Sequence, residues 1–238
     1  IVQSLTTGFL DIASVMRNTL DKSKEIDAFN REQLVKKIES HKKLSSKSFA
    51  KKFREAEIKQ KVKGAFPLAD SWVNVEGKGK GWGKTTVKVR ASLEEAAAFF
   101  WDFDSRAHQE TTGDVERIVE DKKGTWEVVV RRRQKLESKK GVKNRDREFW
   151  NVMKLHKVDE ETIVITMEPI MENMGRSDAV RYTERNNAQM SSEEVAIKFT
   201  KRGEKTTKVE FVTKVELGSS VSVDTTRSTL ERHLDEAA

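Results

Sequence analysis

Up to residue 66 the apolar positions of the chain recur at helical spacing, and from Trp72 onward most of them alternate with polar ones. Phe9, Ile12, Val15, Met16 and Leu20 fall close to one helical face; Leu34, Val35 and Ile38 begin a second pattern, and Phe49, Phe53 and Ala56 a third. Gly64 and Pro67 end the helical character. Beyond them Trp72, Val73 and Val75 predict a short strand, Gly77 to Gly83 a turn, and residues 84–91 a second strand. SLEEAAAFFWDFDSR then predicts a helix. Ser92 with Glu95 three residues on forms a capping box, and Leu93, Ala96, Ala97, Phe100 and Trp101 keep the i, i+3, i+4, i+7, i+8 spacing of a buried face.

After this helix, strands dominate. Residues 114–121 predict one, with a turn at Lys122–Gly124, and TWEVVVRRR places Trp126, Val128 and Val130 on one face. Residues 147–158 and the stretch ETIVITM predict two more, the latter with Ile163, Ile165 and Met167 on one side. Residues 169–190 break every periodicity and predict a long loop. EVAIKFTKRGEKTTKVEFVTKVEL predicts a hairpin about Arg202-Gly203, with Val195, Ile197 and Phe199 facing Val209, Phe211, Thr213 and Val215. The last 18 residues predict a helix with a thin apolar stripe at Val223, Leu230 and Leu234. A sheet apolar on one face must be covered, and two helices separated by most of the sheet can cover it.

The glycine-rich stretch GKGKGWGKT (77–85) ends as a phosphate-binding loop does, but the spacing G-x-x-x-x-G-K-[ST] requires a glycine at 78, where Lys stands. It also feeds TTVKVRA, which alternates like a strand, whereas such a loop opens a helix. It therefore predicts a turn beside the first strands, with solvated lysines and Trp82 as edge packing or a surface anchor. Charge separates the two parts of the chain. Residues 36–63 carry eleven Lys/Arg against Glu39, Glu55 and Glu57, while the 175 residues after them balance 31 charges of each sign. The absence of cysteine excludes disulfides and thiolate metal sites and fits a reducing, cytoplasmic setting. No apolar run approaches the ~20 residues of a spanning helix. A first residue other than Met predicts a piece of a longer protein, with a neighbouring domain as one partner.

Three stretches carry a resemblance to a known family. VKVRASLEEAAAFFWDFDSR is similar to the strand, small-Ser step and capped helix of the START (steroidogenic acute regulatory protein-related lipid transfer) domains. NRDREFW (Asn144–Trp150) looks like their Arg-Asp-aromatic strand opening, and AIKFTKRGEKTTKVEFVTKVELGSS like their last hairpin. The resemblance covers about residues 72–236. It departs at His108-Gln109-Glu110, where the family has an aromatic-Asp pair, and in a short, polar final helix. It implies an α+β helix-grip fold: a curved antiparallel β-sheet gripping a C-terminal helix, here preceded by an N-terminal helical region (1–66, then 67–238).

The resemblance also implies a cavity for a lipid, sterol or other hydrophobic ligand, without catalysis or cofactor. Its expected walls are Trp126, Val128, Phe149, Met153, Ile163, Ile165, Met167, Phe199 and Phe211, which would otherwise fill an ordinary core. Arg145 or Asp146 is expected to offer a head-group contact or else a salt bridge, and the loop with Tyr182 to gate the cavity. The alternative is a regulatory or scaffolding domain whose cavity is filled. A helix-grip enzyme would need a polar pair such as Arg145 and Tyr182. The four histidines, His41, His108, His156 and His233, are scattered without paired metal spacing. The basic segment 36–63 fits docking to the body or to an anionic membrane surface; no specific nucleic-acid partner is expected, since the sheet lacks an aromatic base-stacking motif.

Overall fold

The structure is a computed structural model and describes residues 61–62, 69–105, 114–136, 145–170 and 188–236. The expected helices before residue 61, and Tyr182 with most of its loop, lie outside the described residues. Among the described residues eleven elements follow: β1 Lys61–Val62, β2 Asp70–Gly77, β3 Lys80–Val89, α1 Leu93–Trp101, β4 Glu116–Gly124, β5 Glu127–Gln134, β6 Arg147–Asp159, β7 Thr162–Pro169, β8 Gln189–Gly203, β9 Thr206–Glu216 and α2 Val223–Asp235. The strands form one sheet in the order β1-β2-β3-β9-β8-β7-β6-β5-β4. All neighbours are antiparallel, and a short parallel pairing also joins the starts of β6 and β8. The helix-grip, α+β architecture is as the sequence leads one to expect.

Register explains why one face is so apolar. Val87, Val209, Phe199 and Ile163 lie side by side across β3, β9, β8 and β7. A second row runs Thr85, Phe211, Ile197, Ile165, Leu155, and a third runs Gly83, Thr213, Val195, Met167, Met153, Val128. With period-2 alternation these rows fall on one face, and α1 and α2 both pack on it. α1 is fixed by the capping box read from the sequence: Ser92 Oγ accepts from Glu95 N at 3.2 Å, and Glu95 Oε2 accepts from Ser92 N at 2.8 Å. Phe100 then meets Phe199, ring centroids 5.5 Å apart. On the opposite face Val129, Val164, Ala196 and Val212 are buried as well.

Four expectations are corrected. The turn foreseen over Gly77–Gly83 is only Lys78-Gly79, because Gly81, Trp82 and Gly83 pair with Val215, Lys214 and Thr213. β4 runs through the turn foreseen at Lys122–Gly124, and Thr125-Trp126 turns instead, so Trp126 is not on the strand face with Val128. The last hairpin turns at Glu204-Lys205, two residues later than foreseen. Val223, placed on the apolar stripe of the last helix, is 43% exposed in its first turn.

Candidate functional site

The glycine-rich stretch positions the C-terminal helix. Gly79 has a left-handed φ of 71°, and a Cβ there would lie 2.1 Å from the Gly218 carbonyl oxygen, so only glycine fits. Its backbone is used on both sides: Leu217 N donates to Gly79 O at 2.7 Å, and Gly79 N donates to Thr226 Oγ1 at 2.9 Å. This ties the start of α2 to the β2–β3 turn. Gly81 and Gly83 then leave the inner face of β3 without side chains, and Leu230 and Leu234 of α2 settle into the space. Trp82 points the other way, under the Lys214 ammonium, 5.2 Å from its ring centroid.

Between helix and sheet lies a polar network inside the apolar face. Arg132 Nη2 donates to Glu193 Oε2 at 2.6 Å, and His233 Nδ1 stands 2.9 Å from Glu193 Oε1. His233 Nε2 is 3.0 Å from both Arg132 Nη2 and Gln134 Oε1. A neutral ring donating from Nδ1 can accept from Arg132, and a doubly protonated one can donate to Glu193 and Gln134 together. Arg117 donates to Glu236 at 2.7 Å, and Asp114 lies 3.6 Å from Arg117 and 3.9 Å from Arg132. Burial would push the Glu193 carboxyl up, but Arg132, His233 and Arg117 outweigh it and hold the group at about 2. Asp114 goes the other way, pushed up by burial against the pull of both arginines. The Arg132 guanidinium also stacks over Phe149, 5.1 Å from the ring centroid.

Eight of the residues expected as cavity walls are drawn into one buried cluster: Val128, Phe149, Met153, Ile163, Ile165, Met167, Phe199 and Phe211. Trp126 is half-buried at its rim, with its ring centroid 5.8 Å from that of Trp101. Arg145 is exposed ahead of β6, and Asp146 pairs with Arg133 at 2.8 Å, the salt-bridge alternative for this pair. The arginine that turns inward is Arg147. It shares the parity of Phe149 and Met153, and its Nε and Nη1 donate to the carbonyls of Leu217 (2.9 Å) and Arg145 (2.7 Å). That parity was the signal available in the sequence. Among the described residues no group of His, Asp and Glu is arranged to hold a metal ion.

No protein-family model matches the chain, and no curated protein matches its sequence. Solved structures do match its fold. Human STARD10 superposes with a TM-score of 0.59 at 10% identity, over 83% of this chain and 82% of its own. Human StAR-related lipid transfer protein 5 gives 0.58 at 11%, over 90% and 97%. The human StarD13 lipid transfer and protein localization domain gives 0.51 at 9%, over 83% and 99%. The chain thus has the helix-grip fold of START domains.

Proposed function

We propose that this chain binds a hydrophobic or amphipathic small molecule between the inner face of its sheet and α2, as a carrier or sensor and not as an enzyme. The observation that carries this is the gathering of eight inward side chains from five strands, Phe149, Met153 and Phe211 among them, into one apolar face gripped by a helix. Each methylene transferred there from water contributes ~0.8 kcal/mol, so roughly ten reach micromolar affinity. Two of the similar structures are named for lipid transfer, which agrees with this reading. A second reading, an interaction domain whose grip is filled, is favoured by the Arg132–Glu193–His233 network, which spends part of the inner face on its own polar contacts. Tyr182 and its loop remain proposed as the gate, and residues 36–63 as the contact to an anionic membrane surface.

Native mass spectrometry of the protein purified from cells tests the two readings. A stoichiometric lipid or sterol, released by solvent extraction, is the expected result. Protein that is empty as purified and takes up neither fluorescent sterol nor fluorescent fatty acid would overturn the carrier reading in favour of the filled grip.

A further inference from the structure

Four arginines are buried in the described structure, and three of them have carboxylates. Arg117 pairs with Glu236, Arg131 with Glu116, Glu120 and Glu148, and Arg132 with Glu193. Arg147, only 1% exposed, bonds no carboxylate among the described residues. Its two hydrogen bonds go to neutral backbone carbonyls, and its Nη2 donates to nothing among the described residues. A desolvated guanidinium without an anion is costly. Burial and the charge of Arg145 both push it down from its ordinary range, with Asp146 acting in the opposite direction. Beside it is a second unmatched group: Ser191, 4% exposed, whose Oγ has no hydrogen-bond partner among the described residues.

The parallel pairing of β6 with β8 places these two groups together. Arg147 is in register with Gln189 and Phe149 with Ser191, so Arg147 and Ser191 are diagonal neighbours on the same inward face. They sit where the long loop leaves β7 at Pro169 and rejoins the sheet at Gln189, and the inward residues next along β6 are Phe149, Asn151 and Met153. We propose that Arg147 and Ser191 receive the oxyanion of an amphipathic ligand, its apolar tail lying along Phe149 and Met153. The guanidinium supplies a charge-assisted hydrogen bond through Nη2, and the serine hydroxyl a second one. A fatty acid offers this chemistry as a carboxylate and a lysophosphatidic acid as a phosphate monoester. The assignment names the ligand class of the grip and rests on the ligand-binding reading above.

The test is titration of the delipidated full chain, at neutral pH, with oleate, oleoyl lysophosphatidic acid, oleyl alcohol and inorganic phosphate. The anionic lipids are expected to bind about tenfold or more tightly than the alcohol, the scale of one charge-assisted hydrogen bond. Ser191→Ala should shrink that preference severalfold while leaving the affinity for the alcohol unchanged. Arg147→Lys, which keeps the charge and loses the fork, should shrink it further. Arg147→Met removes two backbone hydrogen bonds as well and is expected to fold poorly, so the serine variant decides the matter. The ratio of oleate to lysophosphatidic acid identifies the head group, and displacement of oleate by inorganic phosphate alone would show an anion site indifferent to the tail and overturn the amphipathic assignment. Equal binding of oleate and oleyl alcohol would overturn the head-group assignment and leave the grip as a binding site. Binding of no lipid at all would overturn both.

Discussion

A methyl group added at Gly81 would lie 2.8 Å from the Asn74 carbonyl oxygen and 2.8 Å from Leu230 Cδ1, whereas the three atoms nearest to one at Gly83 all belong to the Leu234 side chain, at 3.0–3.3 Å. A leucine tip can rotate away; a backbone carbonyl in a paired strand cannot. Gly81→Ala is therefore expected to lose about 1–3 kcal/mol in urea denaturation, the usual cost of overpacking, and Gly83→Ala less than about 1 kcal/mol. Equal losses would mean that the Asn74 carbonyl does not crowd Gly81 as described, or that Leu234 cannot give way at Gly83. Glu193 makes a second residue-scale prediction. Its carboxyl is held at about 2, below its ordinary value, so its contribution to stability is complete above the ordinary carboxylate range and is lost as pH falls toward 2. Between about pH 4.5 and 2 the group adds a slope of at most ~1.4 kcal/mol per pH unit. Asp114, pushed up instead, contributes in the opposite sense: its protonated form is favoured by folding, so stability from it grows as pH falls through its raised value. Glu193→Gln should cost about 3 kcal/mol at neutral pH and flatten the acid limb of the stability curve; an unchanged limb would assign acid unfolding to other carboxylates.

At the scale of elements, both helices begin at a serine whose hydroxyl accepts from the third helical residue: Glu95 N at 3.2 Å for Ser92, and Thr225 N at 3.1 Å for Ser222. Ser92→Ala and Ser222→Ala should each lower stability by about 1 kcal/mol, measured from chemical denaturation. Ser222 should show the larger effect, because its hydroxyl also bonds Thr225 Oγ1 at 3.0 Å, whereas Glu95 keeps the backbone N–H of residue 92 in the alanine variant. The capping box of α1 and the alternation of β6 to β9 were legible because each is a local pattern. The inner face of α2 was not. Thr226 and Thr229 read as polar surface, yet each hydroxyl donates to a carbonyl four residues back (Ser222 and Thr225) and both residues are buried. His233 completes that face through partners on β5 and β8, so no local window reveals it. Arg132 and Arg147 share the parity of Val128 and Phe149, so alternation alone could have pointed to both as inward residues. What it could not supply was a distant partner: Glu193 lies 61 residues from Arg132, and no carboxylate among the described residues answers Arg147. Arg145, the more obvious choice beside the strand, has the right charge and is exposed before β6 begins.

For the molecule as a whole the uneven distribution of charge matters more than the total of +7. Eleven cations against three carboxylates fall within residues 36–63, and the 175 residues that follow sum to zero, so the helix-grip domain itself gives no net attraction to an anionic surface. No helix among the described residues is long and apolar enough to cross a membrane. Each lysine or arginine near a bilayer rich in anionic lipid contributes ~1 kcal/mol, an effect that salt screens within a Debye length of about 8 Å at physiological strength. Co-sedimentation with vesicles should accordingly be absent for neutral phosphatidylcholine, present when about a third of the lipid is phosphatidylserine, and largely lost on raising salt severalfold. Charge reversal at Lys42, Lys43, Lys51 and Lys52 removes four positive charges, adds four negative ones and turns the segment's net +8 into zero. It should abolish vesicle binding while leaving the urea midpoint of the grip and its uptake of oleate unchanged. Loss of oleate uptake in that variant would instead mean that the basic segment supports the grip itself, and undiminished vesicle binding would move the membrane contact onto the neutral body of the chain.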